Sequence, residues 1–275
     1  MVKPDPMAGA QSIALIGAGR MGTALAKGWL SGKRKVEILI SDPQPSAEAQ
    51  EWAGSGKVRL NPVPEPVSVL VVAVKPQVFP KAAESLKAWI GPKTLVISIM
   101  AGVRVKQVAE KLDTQRVIRV MPNTPGAIGR GVSVMSAPAG IAKGDVQTAE
   151  RLLAPLGEVI GPVDEKHMSN VTALSGSGPA YLFLLAEAMA DGAEAEGLPR
   201  ELAQRLARLT VEGAAALMAE SGDAPGALRK AVTSPGGTTQ AALDILMDDG
   251  GMPRLLRQAI RAAANRDRDL SRDMD

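Results

Sequence analysis

At 275 residues and 45% apolar composition the chain exceeds what one hydrophobic core usually serves, so two folded domains are expected. With no cysteine and one histidine it has no disulfide, no thiolate nucleophile, no zinc–thiolate site and no histidine-based metal cluster, a composition that suits a reducing, cytoplasmic setting. The net charge of +3 is uneven: residues 1–162 hold 20 Lys and Arg against 12 Asp and Glu, while residues 163–275 hold 12 against 17, and with only 3 Trp, 1 Tyr and 2 Phe the basic half lacks material for stacking on nucleic acid and suits a small anion.

Residues 1–10, with Pro4, Asp5, Pro6 and Gly9, lack the apolar core of a secretory signal and read as a flexible leader. No apolar run approaches the roughly 20 residues of a membrane-spanning helix. From Ser12, short β-branched runs alternate with stretches of helical period. Strands are expected at Ser12–Ile16, Val36–Ile40, Val67–Val74, Thr94–Ile99, Val117–Met121 and Val132–Met135. Helices are expected at Met21–Leu30, Ser46–Trp52, Phe79–Trp89, Val105–Lys111 and Asp145–Leu153. This alternation predicts an α/β domain over 11–162, a Rossmann-like doubly wound sheet with its ligand at the carboxyl ends of the strands.

Past Pro162 the pattern changes to long Ala/Leu/Glu/Arg-rich segments without a convincing strand, broken at Gly176–Pro179, Gly197–Pro199, Gly222–Gly226, Ser234–Gly237 and Gly250–Pro253. An all-α domain over 163–275 is expected. Segments such as Glu201–Met218 carry more apolar surface than a small lone bundle can hide, which points to a homodimer or larger homo-oligomer formed through the helices. The lone His167 reads as a helix-surface residue.

The turn Gly17-Ala18-Gly19-Arg20-Met21-Gly22 follows an apolar strand and opens a helix, the context in which three such glycines bind a dinucleotide. Gly17 makes the tight turn, Gly19 lets the backbone approach a pyrophosphate, and Gly22 lets the helix pack on the sheet. At the end of the second strand, where the adenosine ribose is met, Ser41 and Asp42 give opposite signals. An acid there takes the 2′-hydroxyl of NAD, whereas Ser41 can donate to the 2′-phosphate of NADP, and the register decides which points inward. Lys75, closing an apolar strand in Ala73-Val74-Lys75-Pro76-Gln77, either faces the ligand crevice or is a solvated loop lysine. The small residues of Leu174-Ser175-Gly176-Ser177-Gly178-Pro179-Ala180-Tyr181 serve either close helix packing or a pocket wall carrying the Ser175 or Ser177 hydroxyl. Thr233-Ser234-Pro235-Gly236-Gly237-Thr238-Thr239 precedes a helix, so the amides of Gly237, Thr238 and Thr239 form either an ordinary helix start or a carboxylate site.

These segments, with Met121-Pro122-Asn123-Thr124-Pro125, resemble in order and spacing the pyrroline-5-carboxylate reductase family, which closes proline biosynthesis, and the match runs from about Ile13 to Leu270. The resemblance implies an oxidoreductase that reduces 1-pyrroline-5-carboxylate to L-proline with NADPH, or NADH as the alternative. It implies that Gly17 to Gly22, Ser41, Ala73, Val74, Lys75 and Pro76 bind the dinucleotide, that Ile99, Met100 and Ala101 line it nearer the nicotinamide, and that Asn61 meets its adenosine side. Ser175, Ser177, Ser234, Gly237, Thr238 and Thr239 fall to the substrate, with Thr239 the candidate proton donor or relay. One rival is a β-hydroxyacid dehydrogenase, whose catalytic lysine and the asparagine four residues on are mimicked by Lys166 and Asn170. Another is a regulator that binds a dinucleotide without turnover.

Overall fold

The computed structural model describes residues 11–32 and 36–272; the expected leader, 1–10, lies outside the described residues. In chain order the first part runs β1 (Ser12–Ile16), α1 (Arg20–Leu30), β2 (Glu37–Ser41), α2 (Ala47–Gly54), β3 (Arg59–Leu60), β4 (Val69–Val72), α3 (Phe79–Leu86), β5 (Leu95–Ser98), α4 (Val105–Leu112), β6 (Val117–Met121), β7 (Gly131–Ser136), α5 (Lys143–Leu153) and β8 (Gly157–Ile160). The eight strands form one sheet in the order β3-β2-β1-β4-β5-β6-β7-β8. All neighbours are parallel except β6 and β7. The first six follow the doubly wound order, in which the direction of winding reverses between β1 and β4 and the ligand crevice opens there.

Helices cover both faces, which is why the central strands are apolar along their length instead of alternating with polar residues. Successive side chains of β1 enter opposite cores: Ile13 and Leu15 pack with Trp29, Leu25 and Leu152, whereas Ala14 and Ile16 pack with Phe79, Leu86 and Trp89. The Trp29 indole N–H donates to the Leu152 carbonyl at 2.8 Å, so burying this side chain leaves no polar atom unpaired.

Two strands are absent from the sequence expectation. The two-residue β3 is too short to show a period. β8 opens at Gly157, with φ +130, where a Cβ would lie 2.2 Å from the Gly131 carbonyl oxygen; the close strand pairing needs glycine there.

The helical part comprises α6 (Met168–Val171), a π-helical turn at Thr172–Gly176, α7 (Gly178–Ala195), α8 (Arg200–Ser221), α9 (Pro225–Ala231), α10 (Thr238–Leu246) and α11 (Met252–Arg272). By contacts the chain divides at Gly176: one unit is the sheet with residues up to there and the chain from Ala263 onward, the other is Ser177–Ala262. Residues 163–176 and the last turns of α11 thus pack with the sheet. No described helix is long and apolar enough to cross a membrane.

The buried core of the second unit, among the described residues, is small: Ala190, Ala203 and Ala207, where α7 meets α8. Leu182, Phe183 and Leu184 of α7 and Leu202, Leu206 and Leu209 of α8 are left about half exposed or more. A set of apolar side chains this large, uncovered within its own unit, is the mark of an association surface.

Within the sheet unit, the end of α11 braces the turn after β5. Gly102 has φ +72, and a Cβ there would lie 3.0 Å from that of Leu270. The Gln107 side chain donates to the Ser271 carbonyl at 2.7 Å. Beside them Arg119 of β6 and Asp267 are both nearly fully buried, with 3.6 Å between Nη2 and Oδ2, and Arg119 also lies 3.4 Å from Glu165. Removing one partner of such a pair strands the other charge in the core. Asp267→Ala is expected to destabilise the fold by about 3 kcal/mol, read as a shift in the denaturation midpoint, whereas the paired change Arg119→Met with Asp267→Leu recovers most of it. An unshifted midpoint in Asp267→Ala would show that the brace contributes little.

Candidate functional site

The sheet register aligns the carboxyl ends of three strands. Ile16 of β1 pairs with Val72 of β4, and Val72 with Ser98 of β5. The residues that follow are Gly17, Ala73 and Ile99, brought side by side at the winding reversal; Ala73 donates its N–H to Ile16 O at 2.8 Å, and Ile99 to Val72 O at 3.0 Å.

Each glycine of the turn has a distinct reason. Gly17 has φ +96, and a Cβ on it would lie 2.7 Å from the Ala73 carbonyl oxygen. Its N–H donates to Ser41 O at 2.9 Å, which ties the turn to the end of β2. Gly19 is the N-cap of α1, exposed, with nothing within 4 Å of the position a Cβ would take, so its open side admits a ligand to the backbone. Gly22 is buried, and a Cβ on it would lie 2.2 Å from the Gly17 carbonyl oxygen; the bare Cα lets α1 lie close on β1. Helix α1 has no side-chain cap and no acid in its first turn, so its leading N–H groups and positive dipole end face the crevice.

At the end of β2 the two candidates make different contacts. Ser41 contributes its carbonyl to Gly17, while the Asp42 carboxylate turns inward: Oδ2 accepts from Ala18 N–H at 2.6 Å and Oδ1 from Gln44 N–H at 2.7 Å. Asn61 brackets the backbone of Asp42, its Oδ1 accepting from Asp42 N–H at 2.9 Å and its Nδ2 donating to Asp42 O at 3.0 Å. This explains the left-handed φ of +48 at Asn61, a conformation that asparagine tolerates better than most residues. A third link joins the loop to α1: Thr23 donates to Ala18 O at 2.8 Å and shares a hydrogen bond with Ser46, the N-cap of α2. The sequence reading missed Thr23 and Ser46; their signal is a serine placed to cap α2 on the loop that touches the turn.

Beyond β4, Ala73 and Val74 are partly buried beside the turn; Lys75 is exposed and begins the short helix Pro76–Val78. Beyond β5, Ile99 and Ala101 are partly open, but the Met100 side chain is 2% exposed and belongs to the core against α3 and α4, so only its backbone is available to a ligand.

The residues expected at the substrate fall in both units. Ser175 lies in the π-helical turn, its hydroxyl donating to Val171 O at 2.9 Å and its carbonyl accepting from Asn123 Nδ2 at 3.2 Å. Asn123 also accepts from Val132 N–H, and a Cβ on Gly176 would displace the terminal methyl of Met121, 2.4 Å away. The small residues therefore seat this turn on β6 and β7. In the second unit, Ser177 is the N-cap of α7. Ser234 O accepts from Gly237 N–H at 3.0 Å, closing a turn in which Gly236 has φ +68. Gly237 is the N-cap of α10, which starts at Thr238 with no side-chain cap and no acid in its first turn. Thr238 and Thr239 are the first two residues of that uncapped helix end, while Arg229, Lys230 and Thr233 line a groove of about 500 Å³ between α9 and α10.

The pair Lys166 and Asn170 does not form a site. Lys166 is exposed and bound to Asp164 at 2.8 Å, a contact that holds the Asp164 carboxyl below its ordinary pKa, and Asn170 accepts from Arg268 at 3.2 Å.

Similarity to known proteins extends over both parts of the chain. Residues 165–270 match the family described as pyrroline-5-carboxylate reductase dimerisation, and residues 12–102 the family described as NADP oxidoreductase, coenzyme F420-dependent. The pyrroline-5-carboxylate reductase of Arabidopsis thaliana is 40% identical over 264 residues, covering 94% of this chain and 95% of the relative. That of Pseudomonas aeruginosa is 37% identical over 267 residues, covering 95% and 97%. The solved structure of a pyrroline-5-carboxylate reductase from Coxiella burnetii superposes with a TM-score of 0.83 at 32% identity, covering 94% of this chain and 98% of that one. With these relatives matched over nearly their whole length, the chain belongs to the pyrroline-5-carboxylate reductase family.

Proposed function

We propose that the chain reduces 1-pyrroline-5-carboxylate to L-proline with NADPH or NADH, as a homo-oligomer assembled through the helical unit. The observation that carries the reading is the pairing, in one chain of this family, of an open dinucleotide turn at the winding reversal with a second anion-receptive helix end at Gly237–Thr239.

The turn fits a dinucleotide because Gly19 leaves room where a side chain would block the backbone and the start of α1 carries no competing acid. In this reading the amides of Gly19 to Gly22 hold the pyrophosphate, the backbone of Ala73 to Pro76 and of Ile99 to Ala101 flanks the rest, and Lys75 offers a cation at the rim. When bound, the reduced nicotinamide supplies a hydride to C5 of the cyclic imine. The amides of Thr238 and Thr239 hold the substrate carboxylate at the α10 N-terminus, with Ser177 and Ser234 as further hydroxyl partners. While it donates to Val171, the Ser175 hydroxyl can still accept a hydrogen bond from the substrate but cannot donate one. The imine nitrogen can enter already protonated, so the chain needs positioning and fixed dipoles more than a strong acid.

The Thr239 hydroxyl is assigned to the ring nitrogen as donor or relay. Loss of one hydrogen bond to a charged group is worth about 1.5 kcal/mol, so Thr239→Ala is expected to lower kcat roughly tenfold, and Thr239→Ser to restore most of it. A changed KM with full kcat in Thr239→Ala would remove that role. Oxidation of hydroxyisobutyrate without reduction of pyrroline-5-carboxylate would instead favour the dehydrogenase reading.

A further inference from the structure

We infer that Asp42 makes NADH, in place of the NADPH expected from the sequence, the preferred reductant; the inference rests on the reading that the Gly17–Gly22 turn holds the dinucleotide. Asp42 directly follows β2, the place in a doubly wound sheet that meets the adenosine ribose and where an acid pairs with a free 2′-hydroxyl. Its carboxylate is not a solvated side chain that happens to be near. It accepts from Ala18 N–H, inside the turn, at 2.6 Å, and from Gln44 N–H at 2.7 Å, while Asn61 fixes its backbone from both sides. Two hydrogen bonds to the carboxylate and two to the backbone thus hold Asp42 at the mouth of the turn and oppose its swinging aside.

Among the described residues, the loop that carries Asp42 offers no cation to compensate a second anion; the exposed Arg20 belongs to the turn, where it starts α1. The chain has no Lys or Arg from Val36 to Gly56, where an NADP-binding site usually places a cation for the phosphate. Arg59 of the adjacent β3 is already paired with Glu37 at 2.8 Å and Glu65 at 2.9 Å. The start of α2, the remaining anion receptor on the loop, is capped by Ser46 and carries Glu48 in its first turn. A 2′-hydroxyl can donate to a remaining lone pair of the Asp42 carboxylate; a 2′-phosphate placed there meets a fixed like charge.

The test is direct binding of NADH and NADPH, followed by the fluorescence of the reduced nicotinamide, together with kcat/KM for each, in the full-length protein and in Asp42→Ser and Asp42→Asn. Asp42→Asn keeps an acceptor for Ala18 N–H and removes only the charge, so it separates repulsion from any loosening of the turn. The unaltered protein is expected to bind NADH more tightly by on the order of tenfold, and both variants to shift that ratio toward NADPH by about the same factor. Equal or tighter binding of NADPH by the unaltered protein, or an unchanged ratio in both variants, overturns the assignment while leaving the turn as a dinucleotide site. Binding of neither nucleotide would overturn the reading of the turn and the assignment with it.

Discussion

Gly17→Ala is expected to lower affinity for the reduced nucleotide by about 100-fold and to lower the melting temperature as well. Two costs arise together at this position. The φ of +96 is strained for any residue with a Cβ, and that Cβ would stand 2.7 Å from the Ala73 carbonyl oxygen, with Ala73 C at 2.9 Å and Val74 N at 3.1 Å. These are backbone atoms of the neighbouring strand end and cannot rotate away, so either β1 and β4 separate or the turn refolds. Backbone strain of this kind costs about 1–3 kcal/mol, and its upper end corresponds to about two decades in a binding constant. Gly19→Ala is the control that gives the result its meaning: φ there is −71 and the Cβ would meet nothing within 4 Å, so the free protein should keep its stability and lose nucleotide affinity alone. Equal loss of stability in both variants would mean that the glycines serve only the turn. Full affinity in Gly19→Ala would place the nucleotide elsewhere.

The second large effect is expected at the helical surface. Leu202, Leu206 and Leu209 stand at i, i+4 and i+7 on α8, each about half exposed, on a helix whose Ala203 and Ala207 already face α7. A stripe of this kind needs a partner, and because residues 165–270 match a region described as dimerisation, a second copy is the partner expected for it. Burying one leucine is worth about 2 kcal/mol, and a two-fold interface counts each change twice, so Leu206→Asp with Leu209→Asp removes about 8 kcal/mol from the association. That is on the order of a 10⁶-fold rise in the dissociation constant, enough to give monomers at micromolar concentration in sedimentation velocity. Because the core of the second unit is so small, the same variant should melt earlier, and the melting of the unaltered protein should depend on its concentration. A double variant that still sediments as the parent does would move the interface to another face.

Much of this was legible in the sequence because buried parallel strands read as uninterrupted apolar runs, and Ser12–Ile16, Val69–Val72 and Leu95–Ser98 are such runs. The Gly-rich turn was legible for a related reason: two of its glycines, Gly17 and Gly22, are demanded by close backbone approaches that a Cβ would block. Features that turn on one residue of register were not. Whether Ser41 or Asp42 faces the turn is a 180° question that composition cannot answer. Asp267, flanked by Arg266 and Arg268, reads as one charge of a solvated helix, yet it is buried against Arg119 from a strand far away in sequence. Ser175 reads as a free hydroxyl because the π-helical turn that consumes it leaves no periodic signature.

The reaction itself is tested most directly by supplying pyrroline-5-carboxylate with each reduced nucleotide and following both reduced-nicotinamide absorbance and proline. The account predicts that oxidation of the nucleotide requires the imine and yields L-proline in equal amount. Nucleotide that binds the turn but is not oxidised when pyrroline-5-carboxylate is added would contradict it.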